Sequence, residues 1–193
     1  MSVLEFSRLR EDPGWLERVV IRPVTAADLP LLEWEGEYLH FRRVFAGAFE
    51  RQLAGLSVLW IAVLDCWAAG QVFIQYDSDR KELADGVERA YLYSFRVRPE
   101  LRGQSLGTRI HQVVEEDLLQ RGYRYITLNV AKENLRAQAL YRRLGYRYIA
   151  HEPGRWSYPD HEGVWHQVEE PAWRMEKRLF REYCLEKIPA LFT

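Results

Sequence analysis

A β-rich run, a glycine-containing turn and an amphipathic helix follow one another directly in this chain. The run from Ala90 to Val97 has the composition of a strand, and Pro99 ends it. Helical spacing then relates the apolar residues Leu106, Ile110, Val113, Val114 and Leu118, before Arg121 and Gly122 supply a basic last turn and a stop. The sequence therefore predicts a strand that passes through a tight turn into the start of a long helix.

The turn itself, from Arg102 to Thr108, has the composition of an anion-binding site. A helix start presents unpaired N–H groups and the positive end of its dipole. Gly103 and Gly107 permit close approach, Arg102 adds a charged donor and Thr108 a hydroxyl. The alternative is a plain strand-to-helix turn that uses glycine for its geometry. Neither the Walker ending nor the dinucleotide-binding glycine pattern is present, which disfavours nucleotide hydrolysis and hydride transfer.

The remaining elements alternate along the chain. A first strand and a helix capped by Thr25 precede a second helix between Glu33 and Leu56, whose aromatic face packs in the core or lines a substrate site. That face consists of Tyr38, Phe41, Phe45 and Phe49. The expected strands are Val19 to Pro23, a hairpin of Ser57 to Leu64 with Trp67 to Tyr76, Tyr123 to Val130, Tyr146 to Ala150 and Trp173 to Leu179, with a short helix from Asn134 to Leu144.

This order predicts an α/β fold with a mixed sheet and helices on its faces. We expect one domain at residues 19–180, between an N-terminal extension at 1–18 and a C-terminal tail at 181–193. Residues 151–172 contain proline, glycine, histidine and tryptophan without a sustained period, so they are predicted to form a long loop, and whether that loop is a lid stays open.

Charge balance names no partner, and the start of the sequence and its cysteine content bear on the compartment. The 27 Lys and Arg residues are balanced by 28 Asp and Glu residues, which disfavours a nucleic-acid or anionic membrane partner. The charged start is unlike a signal peptide, and no run reaches the roughly 20 apolar residues of a membrane span. Cys66 and Cys184 lack metal-site spacing. We expect a reduced, cytoplasmic protein.

Two ordered motifs carry a family resemblance. Val97-x-Pro99-x-x-Arg102-Gly103-Gln104-Ser105-Leu106-Gly107-Thr108 resembles the acetyl-CoA-binding signature of the GNAT family of N-acetyltransferases. Asn134-x-x-Ala137-x-x-x-Tyr141-x-x-Leu144-Gly145-Tyr146 resembles the second signature of that family, at the expected distance and after a strand. One departure is Ser105, where the family usually has a glycine. Serine is small enough for the turn, so we expect modestly altered affinity.

The resemblance implies a mainly antiparallel sheet of six to seven strands that splays between strands 4 and 5. Acetyl-CoA would enter as a co-substrate, with its pantetheine arm paired to Phe95–Val97 and its pyrophosphate on the N–H groups of Gln104–Thr108. Asn134 would bind the pantetheine arm or orient the reacting centre. The implied cofactor-binding residues are Phe95, Arg96, Val97, Arg102, Gly103, Gln104, Ser105, Leu106, Gly107, Thr108, Asn134 and Tyr141.

The expected reaction is acetylation of a primary amine on a small molecule, a peptide or a protein. Tyr141 is the predicted general acid for the departing thiolate, the alternative being a buried core tyrosine. A backbone N–H near Val97 would meet the oxyanion. The general base stays open, because the fourth strand offers Tyr91, Tyr93 and Ser94, where some relatives carry a glutamate. Glu33, Glu35 and Glu37 lie near the end of the first helix, a region that lines the acceptor side in the family. Either one of them accepts the proton of the amine through water, or the three form a solvated acidic face.

The histidines of residues 151–172 raise the alternative of a metal site. His151, His161 and His166, with Glu162 and Glu169 nearby, lack a supporting ligand spacing for zinc, so no metal is expected. Trp156 and Trp165 in this segment are expected to cover an acceptor pocket or to pack under the loop. The alternative function is a non-catalytic acyl-CoA sensor or interaction protein, which Tyr141 disfavours. A homodimer is possible by analogy with the family.

Overall fold

The computed structural model describes residue 12 and residues 14–180. Its main sheet has seven strands in the order β1-β2-β3-β4-β5-β9-β6, and a separate hairpin pairs β7 with β8. The strands are β1 (Val20–Pro23), β2 (Ser57–Leu64), β3 (Trp67–Gln75), β4 (Arg89–Val97), β5 (Tyr125–Ala131), β6 (Arg147–Glu152), β7 (Arg155–Pro159), β8 (Trp165–Glu169) and β9 (Ala172–Arg178). This confirms the predicted mixed sheet.

The main sheet opens between β4 and β5. These neighbours pair in parallel only where Arg89–Leu92 meets Tyr125–Leu128, and every other neighbouring pair in the sheet is antiparallel. Beyond Leu92, Ser94 takes a left-handed conformation at φ 51, and the β3–β4 register shifts between Gln71 and Phe73. This irregularity bends β4 away from β5. The predicted splay is confirmed, and it leaves the end of β4 without a partner on that side.

In the part of the chain that the structure describes, three α-helices flank the sheet: α1 (Arg42–Leu53), α2 (Leu106–Gln120) and α3 (Leu135–Arg143). The buried face of α2, which includes Leu106, Ile110 and Val114, belongs to the larger core cluster, and Phe45 of α1 belongs to a second cluster with Phe73. The chain also forms short 3-10 helices at Trp15–Arg18, Ala26–Glu33, Leu39–Phe41 and Pro99–Leu101. Among the described residues, no helix is long and apolar enough to cross a membrane.

The first predicted helix is a 3-10 helix with the expected start. The backbone N–H of Thr25 donates to Asp28 Oδ2 over 2.8 Å, which closes a capping box. Pro30 lies inside the segment, where it cannot donate an intrahelical hydrogen bond. The second helix starts at Arg42, nine residues after the start of the predicted region at Glu33, so Tyr38 and Phe41 precede it.

The prediction of a long loop at residues 151–172 is wrong. β6 continues to Glu152, and Arg155–Pro159 then pairs with Trp165–Glu169 in a hairpin. In the turn, Asp160 accepts hydrogen bonds from the N–H groups of Glu162 and Val164, each at 2.9 Å. Most side chains of this hairpin are exposed, so it lacks the apolar alternation that identifies a half-buried strand. The predicted tail at 181–193, with Cys184, and residues 1–11 lie outside the described residues.

Candidate active site

A cleft of about 740 Å³ lies between the end of β4, the turn before α2, and α3. All the predicted cofactor residues line it except Gln104 and Leu106. The lining also includes Arg136, Ala137, Ala139, Leu140 and Arg143. The two motifs, far apart in sequence, therefore form the two sides of one cleft.

The turn before α2 presents a row of free donors. The backbone N–H groups from Gly103 to Thr108 donate to no acceptor among the described residues, whereas Arg109 N–H begins the helical pattern by donating to the Ser105 carbonyl at 3.0 Å. Gly103 and Ser105 both have positive φ, 81° and 67° respectively. Alternating left-handed residues turn successive N–H groups toward one point, which forms a concave anion site.

Some side chains near the turn line the cleft, and others hold the turn in place. Arg102 lines the cleft, but its Nε donates to the Val97 carbonyl at 2.8 Å, which ties the turn to β4. Gln104 turns its amide to the Glu100 carbonyl at 3.2 Å, and Leu106 is fully buried. Gln104 and Leu106 can therefore reach a bound anion only through their backbone N–H groups.

Sequence reasoning missed Arg136 and Arg143 of α3. A terminal nitrogen of Arg136 lies 3.9 Å from the point where a Cβ on Gly103 would stand, so its charge faces the row of free donors. Both arginines occupy variable positions inside the second motif, Asn134 to Tyr146. The two arginines are seven positions apart and therefore share one face of α3, which is the signal that could have identified them.

Tyr141 lies at the inner end of the cleft, with 7% of its surface exposed. Its ring packs against Phe95 of β4, with 6.4 Å between centroids, and against Tyr146 at 5.4 Å. Its hydroxyl makes no hydrogen bond to another described residue. Burial, and then the neighbouring Tyr91, raise the pKa of Tyr141 well above its usual value, so the phenol stays protonated.

Asn134 has a structural task at the same cleft. Its Oδ1 accepts the Ala137 N–H at 3.0 Å and caps α3. Only its side-chain NH₂ is left to donate to a ligand in the cleft.

The three candidate acids differ in their partners. Glu33 accepts two hydrogen bonds from Arg42, at 2.6 and 2.9 Å, and Glu35 holds Arg98 through two contacts of 2.8 Å. Glu37 is exposed and forms no salt bridge with a described residue. Burial is the main cause that raises the pKa of Tyr38, and a hydrogen bond with Glu37 raises it further. Glu37 is therefore the acid of this group that no described arginine neutralises.

An aromatic face forms where the β7–β8 hairpin meets the segment before α1. Phe41 packs against Tyr158, with 4.7 Å between ring centroids, and against Trp156 at 6.3 Å. Arg96 of β4 completes this face, its guanidinium carbon 4.3 Å from the ring centre of Tyr38 and 5.1 Å from that of Phe41. Trp165 is 68% exposed and lies outside these contacts.

The histidines of the hairpin region have other partners. His166 bonds Asp160 at 2.7 Å, His151 packs edge-on against Trp173, and the His161 carbonyl accepts from Arg43 at 3.3 Å. Within the described part of the chain, no group of three or more His, Cys, Asp or Glu side chains is arranged to hold a metal ion.

Comparison with known proteins agrees with this geometry. The sequence profile of the acetyltransferase (GNAT) family matches residues 27–146. No curated protein has a sequence that matches this chain significantly.

Solved structures share the fold at low sequence identity. The ribosomal-protein-S18-alanine N-acetyltransferase of Escherichia coli is 21% identical, with a TM-score of 0.62 over 83% of this chain and 94% of that one. Ard1 from Thermoplasma volcanium is 12% identical, with a TM-score of 0.65 over 84% and 99%. The protein yncA from Salmonella typhimurium, solved with its cofactor acetyl-CoA, is 15% identical, with a TM-score of 0.61 over 86% and 96%.

Proposed function

Because this chain belongs to the acetyltransferase (GNAT) family, we propose that it transfers the acetyl group of acetyl-CoA to a primary amine of a small molecule, a peptide or a protein. One observation carries the proposal. A row of free N–H groups, from Gly103 to Thr108, and a buried unbonded phenol, Tyr141, line one cleft. The first suits a pyrophosphate, and the second suits a leaving thiolate.

Binding of acetyl-CoA is assigned to both sides of the cleft. The N–H groups of the turn and the charge of Arg136 contact the pyrophosphate. Because Gly107 has no side chain, acetyl-CoA can lie close to the first turn of α2. The unpaired edge of β4 beyond Leu92 offers backbone groups to the amide-bearing pantetheine arm. The side-chain NH₂ of Asn134 adds a donor from the opposite side.

In the reaction, the amine nitrogen forms a bond to the acetyl carbon as the carbon–sulfur bond breaks. The thiolate that leaves takes the phenolic proton of Tyr141, a group that burial keeps protonated at neutral pH. The amine loses its proton to water ordered by Glu37. The Tyr141 phenolate is then reprotonated from solvent after the products leave.

The test is a search for products with the full chain. We expect thiol release from acetyl-CoA to depend on both the protein and an amine, and mass spectrometry to find the amine heavier by one acetyl group. Amines should include amino acids, polyamines and peptides with free N-termini. Binding of acetyl-CoA without thiol release across all these amines would contradict the proposal.

A further inference from the structure

Arg96 is a largely buried cation that forms no salt bridge with any residue that the structure describes. Its Nη1 is buried and has no hydrogen-bond partner, and no carboxylate of a described residue lies within ion-pair distance of it. Arg98, two positions further along the chain and just past the end of β4, shows the contrast, since it is held by Glu35 and by the Ala68 carbonyl. Leaving a charged donor unpaired costs more than the ~1–3 kcal/mol of a neutral one, so such a group is expected to serve a ligand.

The positive charge of Arg96 affects the pKa of a neighbouring histidine. Burial, and then the positive charge of Arg96, lower the pKa of His40. Glu37 is the acid that interacts with Arg96, but it is exposed, hydrogen-bonds Tyr38 and lies beyond ion-pair distance. The guanidinium of Arg96 therefore gives the aromatic face a positive charge that no described carboxylate pairs with directly.

Arg96 lines the cleft assigned to acetyl-CoA, but its side chain extends toward the aromatic face. Phe95 and Val97 turn their side chains toward Gly107 at the start of α2, at 3.7 and 3.8 Å from the point where a Cβ would stand there. Side chains alternate along an extended strand, so Arg96 extends to the other face, where Tyr38 and Phe41 hold it. An acceptor that approaches the acetyl group from this face meets Arg96 first.

We infer that Arg96 binds the carboxylate of the acceptor, and that the acceptor is a free amino acid with a large apolar side chain, acetylated on its α-amine. This inference rests on the proposed function. A guanidinium stacked on rings donates its N–H groups in its own plane, which matches the two oxygens of a carboxylate. A single charge suits a carboxylate better than a phosphate, for which sites gather several donors. The exposed ring of Trp156, stacked on Phe41, offers a surface for the apolar side chain.

The experiment compares amino acids with their amides. L-phenylalanine, L-tryptophan and L-methionine are each paired with the corresponding amide, and kcat/KM is measured by thiol release. Amidation removes the carboxylate and makes the α-amine a weaker base that is more often unprotonated. A preference for the acid therefore cannot come from amine reactivity.

For the wild type we expect the acid to be preferred on the order of 10- to 100-fold, the range of a charged hydrogen-bonded contact. Arg96→Gln should reduce this preference to within about twofold, and Arg96→Lys should lie between the wild type and Arg96→Gln. The matched control is Arg124→Gln, an exposed arginine with a 3.7 Å surface salt bridge, which should keep the full preference.

Each result separates this inference from the proposed function. Equal use of acid and amide by the wild type, or a preference that survives Arg96→Gln, would overturn the role of Arg96. So would bound acetyl-CoA with no turnover of any amino acid, while a peptide or polyamine is acetylated. Absence of acetyl-CoA binding would instead refute the proposed function itself.

Discussion

The hydroxyl of Tyr146 lies 2.8 Å from Nε2 of His111, inside the core next to the candidate active site. Both side chains are buried, and the ring of Tyr146 packs edge-on against Tyr141. Burial, and then the charge of Lys177, lower the pKa of His111 to about 3. His111 is therefore neutral in the folded protein at physiological pH.

The burial of His111 predicts a pH dependence of stability. In the unfolded chain, a histidine takes up a proton below pH ~6.5, while His111 in the folded protein resists protonation down to about pH 3. Its contribution is therefore present above pH ~6.5 and is lost as the pH falls, by about 2 kcal/mol at pH 5. Urea unfolding at pH 7 and pH 5 measures it. His111→Gln should lose less stability over this interval than the wild type, and an identical loss in both would contradict the buried neutral state.

Two neighbouring tyrosines should separate chemistry from stability. Tyr141→Phe removes a hydroxyl that bonds no described residue, so we expect turnover to fall by roughly 10²-fold or more, with unfolding temperature and acetyl-CoA affinity near those of the wild type. Tyr146→Phe is the matched control. This substitution leaves Nε2 of buried His111 without a hydrogen-bond partner. It should cost ~1–3 kcal/mol of stability, with a much smaller effect on turnover. If Tyr141→Phe retained full turnover, Tyr141 would not be the acid.

Ser105 carries a backbone conformation that favours glycine. At φ 67, a residue with a Cβ is strained by about 1–2 kcal/mol, part of which glycine returns through its freer unfolded state. Ser105→Gly should therefore raise the free energy of unfolding by up to about 1 kcal/mol and bind acetyl-CoA at least as tightly as the wild type.

Ser105→Ala is the control for the hydroxyl, because it removes the oxygen and keeps the strain. Calorimetric titration of both variants separates the two effects. Equal weakening of acetyl-CoA binding in both would mean that the hydroxyl of Ser105, and not only its backbone N–H, holds the phosphates.

Arg96 of β4 and Arg98, which directly follows the strand, should respond oppositely to replacement by methionine. Arg98→Met removes the hydrogen bond of 2.6 Å to the Ala68 carbonyl and the contacts to Glu35, and should lower the unfolding temperature. Arg96→Met removes an unpaired buried charge and should leave the unfolding temperature equal or higher. Thermal unfolding measures both. Comparable destabilisation by both variants would show that Arg96 supports the fold and is not kept for a ligand.

The sequence predicted most of the elements that build the cleft, because their signals are local. Helical spacing after Leu106, the glycines of the turn and the order of the two motifs all depend on residues close together in the chain. The β7–β8 hairpin could not be predicted in the same way. Its strands pack little apolar surface, and its register is fixed by the hydrogen bonds of Asp160 in the turn.

Contacts between distant segments also escaped prediction. The stacking of Arg96 on Tyr38 joins residues that no pattern relates, and Glu33 and Glu35 are removed as bases only by their pairing with Arg42 and Arg98. The left-handed conformation of Ser105 follows from the geometry of the turn. These features depend on which elements meet in space, and composition does not specify that.

The most direct test of the account is calorimetric titration of acetyl-CoA into the wild type and into variants of Gly107. A Cβ at this position would meet Phe95 and Val97 at ordinary contact distance, so Gly107→Ala should fold and bind, whereas the branches of Gly107→Val would occupy the space between α2 and β4. We predict saturable binding of acetyl-CoA, but not of ATP or NAD, to the wild type, with severe weakening in Gly107→Val. No binding to the wild type, or equal binding to both, would contradict the assignment of the cleft.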